Sequence, residues 1–481
     1  MATWSDRVPA ADVDARFLSA EYHAPHHREL EQKLRRALHC VPLASLAKDL
    51  FQGWSPRGGV KGGSGIPAIK TKNLSSCSVS YEMDCAELSD VAVPDRAWAV
   101  HGDIYVLRCA HHPRYIGKDI GRYDNSHPLK PFITEKIIVA RGVAPCAHDG
   151  YVTAFLQTHY GYQQIQRRLG GLTANYTPDD FGRVLVPLPD RRVQDYIGAK
   201  VELAEQYRAT ATQHRRRVAT LLDEVVRESA FTTHETPCRW VPGQELQSRW
   251  MNAGFYRKSY ADLSAHLRDM GVVVAPLGAL AACNREKVKP TGVISYIEIS
   301  DVDSEEGSIS ASRECLPLDT PNNAQRVLEH GDIVMSTRRP DRGAVALARK
   351  EHAGAFCSVF LARIQCTSAQ VVGRYLQEYL RTRTGRLFIA QRCTETTYPV
   401  ISEDDIETIP VAIAPRALQE EIAQLSLKAE LLRVSAGRLV REAQSDVEAL
   451  IAGTLDTNAI ITGRVKPPTA EDVAEEAERT A

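Results

Sequence analysis

The functions this 481-residue chain can perform are first narrowed by what it lacks. No run of about 18 apolar residues occurs, so a membrane-spanning helix is not expected. The opening MATWSDRVPAADVDARF lacks the basic-then-apolar order of an export signal. Eleven cysteines include no CxxC pair, which argues against a zinc site and for scattered reduced thiols in a cytoplasmic protein. Net charge is nearly absent, at −1, which excludes a protein that coats nucleic acid by bulk attraction. Neither NPP nor DPP occurs, so the catalytic loop of an adenine methyltransferase is missing. The glycine-rich stretch GGVKGGSG has no GK(S/T) ending and no helix after it, so it is no phosphate-binding loop. No G-x-S-x-G is present to seat a serine nucleophile.

Charge is nevertheless uneven. Residues 373–392 hold Arg374, Arg381, Arg383, Arg386 and Arg392 against Glu378 alone. Residues 332–350 hold Arg338, Arg339, Arg342, Arg349 and Lys350 against two aspartates. Local basic faces on a neutral protein suit a specific contact. The tail after Arg464 is acidic and expected to be disordered.

In residues 415–450, Leu418, Ile422, Leu425, Ala429, Leu432, Ala436, Leu439, Ala443 and Leu450 form a heptad seam on a helix opened by Pro415. Such a helix is roughly 50 Å long at ~1.5 Å per residue, and needs a partner of equal length. About 225 residues earlier, Ile197, Val201, Ala204, Ala211, Val218, Leu222 and Val225 repeat the spacing, with Arg208 and Arg215 interrupting the seam. The residues before each helix also correspond: Asp180 with Asp405, Tyr151 with Tyr375, Gly102 with Gly331, Ile69 with Ile297, and Val41 with Ala275. A period this long is a duplicated domain.

The pattern predicts helices over 12–22, 27–39, 151–169, 260–270 and 373–389. Strands are expected over 103–109, 133–140, 293–299, 332–336, 357–364 and 408–413. The fold class is α+β: two tandem mixed α/β globules at 1–189 and 235–413, separated by long helices at 190–230 and 415–453 that pair as an antiparallel coiled coil. An acidic tail follows at 454–481.

This plan, with GIPAIKTKNL, GDI, the tyrosine-leucine helix, the VPLP strand and a glutamine-bearing heptad helix, resembles the specificity (S) subunit of type I restriction-modification systems. The similarity runs from Ala15 to about Leu450, through both halves. It implies that each globule is a target-recognition domain reading one half of a split double-stranded DNA site. The helices would set the spacer and dock two methyltransferase subunits, and through them a motor nuclease. The chain would have no catalytic residue, metal or cofactor of its own; S-adenosylmethionine, ATP and magnesium would bind partners. Candidate DNA-binding residues are Arg57, Lys61, Lys70, Lys72, Asn73, Arg108, Arg114 and Arg122 in the first globule. In the second they are Arg338, Arg339, Arg342, Arg381, Arg383 and Arg386. The two sites should differ, because Lys70, Lys72 and Asn73 become Glu298, Ser300 and Asp301.

Two alternatives compete. Residues 103–127 are similar to a GIY-YIG nuclease signature, with Tyr105, Tyr115, Ile116, Gly117, Arg122 and His127 at plausible spacing. Glu135 falls too close to be the usual metal glutamate, and the second copy keeps no YIG. The other alternative is a non-enzymatic coiled-coil scaffold.

Overall fold

Gly102 and Gly331, held at φ of 81° and 89°, turn the chain into a buried strand at the same point of each half. Only glycine adopts that backbone without strain, so each GDI motif opens an inner strand of its unit's central sheet. The computed structural model describes residues 21–471 apart from 57–64, 81–82, 89–91, 126, 144–145, 170–174, 233–235, 237–238 and 311. The candidates Arg57 and Lys61, and most of the expected helix at 12–22, lie outside the described residues. The chain forms two compact units. Unit 1 runs up to Thr210 and includes the chain from Leu432 onward, and unit 2 is Ala211–Leu431.

Unit 1 opens with α1 (Pro25–Ala37), then β1 (Cys40–Pro42), β2 (Asp49–Gln52), β3 (Ile66–Ile69), β4 (Asp84–Ala86), β5 (Ile104–Leu107), β6 (Gly121–Arg122), β7 (Phe132–Ile133) and β8 (Ile137–Arg141). Helices α2 (Asp149–Gln157), α3 (His159–Arg167) and α4 (Pro178–Gly182) lead to β9 (Leu185–Pro187) and the 36-residue α5 (Arg191–Val226). An antiparallel sheet runs in the order β2-β8-β5-β6. A smaller sheet, β4-β3-β7, pairs β3 parallel to β7, and β1 pairs with β9.

Unit 2 repeats the order. It contains α6 (Lys258–Asp269), β10 (Val274–Pro276), β11 (Ala281–Asn284), β12 (Ile294–Ile297), β13 (Arg313–Cys315), β14 (Ala324–Val327), β15 (Ile333–Ser336), β16 (Val345–Leu347), β17 (Phe356–Ser358) and β18 (Leu361–Cys366). Then come α7 (Gly373–Arg381), α8 (Arg383–Gln391), α9 (Glu403–Ile406), β19 (Pro410–Ala412) and the 37-residue α10 (Arg416–Ala452), whose second half returns to unit 1 with α11 (Thr457–Ile461). The sheet β11-β18-β15-β16 matches the central sheet of unit 1, and β10 pairs with β19. In β13-β12-β17-β14 the parallel pair β12/β17 reproduces β3/β7, with β14 added where unit 1 has a single Trp98–Phe132 bridge.

Buried side-chain bonds repeat as well. Tyr151 Oη donates to the Pro187 carbonyl at 2.7 Å, and Tyr375 Oη to that of Ala412 at 2.7 Å. Gln194 accepts from the His148 amide (3.1 Å) and donates to Pro189 O (3.0 Å); Gln419 does the same with Val372 (2.8 Å) and Ala414 (2.8 Å). Asp103 holds Arg141 as Asp332 holds Arg363.

Three expectations are corrected. The helices expected at 151–169 and 373–389 are each broken once, at Thr158 and at Thr382, whose hydroxyls accept from the amides of Gly161 and Gly385. A Cβ on either glycine would lie within 2.4 Å of a main-chain oxygen of the preceding helix, Leu156 O or Tyr379 O. The apolar period continues through both breaks, so hydrophobic spacing alone could not reveal them. The strands expected at 133–140 and 357–364 are each two strands. Of the tail expected to be disordered, residues 454–471 are ordered: α11 is capped by Asp456, Ala459 and Ile460 are buried, Arg192 donates to Ile461 O (2.8 Å), and Tyr207 donates to Ala470 O (3.0 Å), while 472–481 lie outside the described residues. Its apolar Leu455 and Ile460 join the core of unit 1, which the acidic composition further on obscured.

Candidate functional site

In unit 1 the sequence candidates divide into those that hold the fold and those that face solvent. Asn73 is 1% exposed, and its Oδ1 accepts from the Lys70 amide at 2.8 Å. Asp301 does the same for the Glu298 amide at 2.9 Å, so this position shapes a turn in both units and Asn73 is not free to read a base. Arg122 is 1% exposed and pairs with Glu205, Asp149 (3.1 Å) and Glu202 (3.4 Å); it too is corrected to a structural role. Lys70 and Lys72 both hold Asp84, at 2.8 Å each, and these bonds keep the Asp84 carboxyl below its ordinary range. Lys72 remains largely exposed.

Of the remaining candidates Lys72 lines an open cleft, and Arg114 adjoins its wall residue Tyr115. Thr71, Lys72, Leu107, Cys109, His111, Tyr115, Asp119 and Lys136 line a cleft of about 570 Å³. Arg114, on the turn Pro113–Tyr115, donates to Tyr115 Oη at 3.0 Å, and this bond lowers the phenol's pKa. Arg108 is half-buried at the end of β5, with no side-chain partner among the described residues. Lysines and an aromatic ring around an open cleft offer phosphate contacts and a stacking face.

In unit 2, Arg338 lies over the Phe360 ring (4.8 Å), and Arg339 over that of the exposed Tyr398 (4.6 Å). Arg339 adopts φ 47°, uncommon for a residue with a Cβ, so the turn is held against its local preference. Arg342 ends the single turn Pro340–Arg342 and is exposed. A Cβ on the next residue, Gly343, would lie 3.4 Å from Arg386 Cδ, so the structure brings Arg386 of α8 to this turn. Arg383 is exposed but leans on Phe231, with its guanidinium 3.4 Å from that carbonyl. Arg381 does not belong to the group: it is buried against Glu378 (3.0 Å) and the carbonyls of Ser304 (3.3 Å) and Glu305 (2.5 Å).

A second basic cleft escaped the sequence reading. Lys287, Val288, Lys289, Pro290, Gly292, Pro317, Thr320, Pro321, Asn322 and Gln325 enclose about 500 Å³, with no carboxylate in the lining. The signal was available: the 228-residue offset relating Ile69 to Ile297 also relates Lys61 to Lys289 and Arg57 to Arg285.

The nuclease constellation is not assembled. Tyr105 is fully buried, its hydroxyl 3.3 Å from Asp103, and burial raises its pKa far above the usual phenol range. Tyr115 is exposed, and Arg122 is consumed by carboxylates. His148, Asp149 and Glu202 could offer ligand atoms within 4.8 Å of one another. Arg122 already donates to both carboxylates, so an incoming cation would meet a fixed guanidinium. No helix among the described residues is long and apolar enough to cross a membrane.

No family model and no curated protein matches the chain. Among solved structures it is similar to the type I restriction-modification system S subunit from M. genitalium, at 10% identity over 87% of this chain and 96% of that one, with a TM-score of 0.43. It is also similar to the HsdS subunit from Thermoanaerobacter tengcongensis (16% identity, 87% and 97% covered, TM-score 0.28). A third similar chain comes from a type I R-M system solved for its complex assembly and conformational transition (15% identity, 87% and 98% covered, TM-score 0.30).

Proposed function

We propose that this chain is the DNA-specificity subunit of a type I restriction-modification complex, each unit reading one half of a bipartite site. One observation carries the reading: the same polar skeleton is built twice, while the exposed cations on it differ. Tyr151/Tyr375, Gln194/Gln419 and Asp103/Asp332 repeat bond for bond. Around that skeleton, Lys70 and Lys72 face Asp84 in one unit, where the other has Glu298 and an exposed Ser300. A repeated frame with divergent surfaces suits two readers of two different sequences. Lysine and arginine contacts to phosphate would set register, and arginine contacts to base edges would supply sequence.

The readers would be Lys72, Arg108, Arg114, Tyr115 and Lys136 in unit 1. In unit 2 they would be Arg338, Arg339, Arg342 and Arg386, with Lys287 and Lys289. The long helices would pair as an antiparallel coiled coil and serve as the spacer. In support, Lys200 meets Asp446 at 2.7 Å within unit 1, and Arg217 meets Glu421 at 3.3 Å within unit 2. Helices of 36 and 37 residues extend ~55 Å, about one and a half turns of duplex. Adenine methylation and ATP-dependent cleavage would belong to partners: two methyltransferase subunits docked on the helices, and a motor nuclease. The chain itself would bind no S-adenosylmethionine, ATP or magnesium.

The test is to delete the chain from its host and map methylated adenines by single-molecule sequencing. A split motif with a fixed unread gap that vanishes on deletion supports the reading. Methylation that persists unchanged, or magnesium-dependent DNA cleavage by the isolated chain, contradicts it.

A further inference from the structure

The turn between β13 and β14 of unit 2 presents an apolar tip. Leu318 is 100% exposed and Leu316 57% exposed, although leucines ordinarily gain by burial. The tip is held by bonds. The Leu316 carbonyl accepts from the Asp319 amide (2.9 Å) and from Thr320 Oγ1 (2.9 Å), and the Ala324 amide donates to Pro321 O (3.0 Å). Pro317 and Pro321 fix their own φ on either side. Pro317 and Thr320, which flank Leu318, are also walls of the cleft that holds Lys287 and Lys289. The Val288 amide donates to Gln325 O at 2.7 Å, which pins the lysine loop beside the turn. Both lysines are exposed and have no ion-pair partner among the described residues.

A rigid leucine tip beside unpaired lysines matches a ligand with anionic edges and an apolar interior. Duplex DNA is such a ligand, with phosphates outside and stacked base faces within, and inserted leucines and prolines are a known means of kinking it. We propose that Leu318 is a wedge that enters a base step of the bound duplex while Lys287 and Lys289 hold the adjacent phosphates. This rests on the DNA reading above and adds that unit 2 distorts its half-site. Among the described residues unit 1 shows no such tip. After β4 it carries Glu87 and then Leu88, and Leu88 is half-buried against the cluster of Ala68, Ala86 and Phe132.

The test uses the full chain with its methyltransferase partner and a duplex carrying the mapped split site, with 2-aminopurine placed at each step in turn. Anisotropy reports binding and 2-aminopurine fluorescence reports unstacking. Bound wild type should raise fluorescence several-fold at one step of the unit 2 half and at none in the other half. Leu318→Ala, a truncation at a fully exposed site, should still bind but lose the rise, and Leu318→Phe should keep it. Lys287→Ala with Lys289→Ala should reduce the salt dependence of binding by about two phosphate contacts. Flat fluorescence with DNA bound, or a rise unchanged in Leu318→Ala, overturns the wedge and leaves the DNA reading standing. Loss of methyltransferase co-purification in Leu318→Ala, with flat fluorescence in wild type, makes the tip a protein contact instead. Failure of the wild-type complex to bind the duplex overturns both readings.

Discussion

Unit 1 buries a cation among carboxylates, and unit 2 buries a carboxylate among cations. Arg122 is enclosed by Glu205, Asp149 and Glu202; Glu378 is enclosed by Arg215, Arg381 and the Ser426 hydroxyl (2.6 Å). In each case part of the enclosure comes from α5, through Glu202 and Glu205 in one unit and Arg215 in the other. The seam arginines that looked like defects in the heptad are thereby explained. Arg208 donates to the Ser76 carbonyl (3.0 Å) in unit 1, and Arg215 pairs with Glu378 in unit 2. The difference teaches that the frame, with its Asp103–Arg141 and Asp332–Arg363 pairs, is shared while the ionic anchors to α5 are private, so each half of α5 carries the charge that its own globule requires.

Breaking an anchor should have the largest effect. Arg122→Ala strips the guanidinium from three carboxylates and should destabilise the chain by about 3–5 kcal/mol, the usual result of leaving buried charge unpaired. Glu378→Ala should cost a similar amount in unit 2. Urea denaturation of the full chain measures both, and an effect under about 1 kcal/mol from either would mean its anchor is not buried as described.

The shared frame is sharpened by a matched pair of variants. Tyr151→Phe and Tyr375→Phe each remove a buried hydroxyl and orphan one carbonyl, so each should cost about 1–2 kcal/mol. Equal losses support duplication of the frame. A loss in one unit alone would show that the two tyrosines are not equivalent.

The last effect appears only as the pH is lowered. Burial pushes His27 in unit 1 and His352 in unit 2 down to about 4, with His26 and Arg349 respectively adding to the shift. Each imidazole is kept neutral in the folded chain but would protonate near 6.5 when unfolded. Their contribution is therefore full above pH 6.5 and is lost as pH falls from there toward 4. His27→Gln and His352→Gln should each flatten the stability profile in that window. A profile unchanged in both variants would contradict the burial of the two rings.

How legible this was in the sequence depends on the range of the interaction. The duplication, the heptad seam and the mixed class follow from local spacing, and seam residues such as Ile197, Ala211, Ile422, Ala436 and Ala443 are indeed fully buried. Arg122 and Arg381 were misread because an arginine in a sequence looks exposed, while the partners that bury Arg122 lie as far as 83 positions away. The breaks at Thr158 and Thr382 depend on how closely a glycine approaches the preceding helix, which periodicity does not record. Lys287 and Lys289 were missed because arginine clustering drew attention, although the repeat placed their loop opposite Arg57 and Lys61.

The claim that one frame carries two unlike readers is tested most directly by Arg339→Ala with Arg342→Ala, made in the complete complex and followed by single-molecule sequencing of methylated adenines. Both side chains lie outside the buried frame, so assembly should survive. The expected result is a motif that loses its sequence requirement in one half while the other half and the unread gap stay fixed. A motif unchanged in both halves, or relaxed in both together, would contradict the division of reading between the two units.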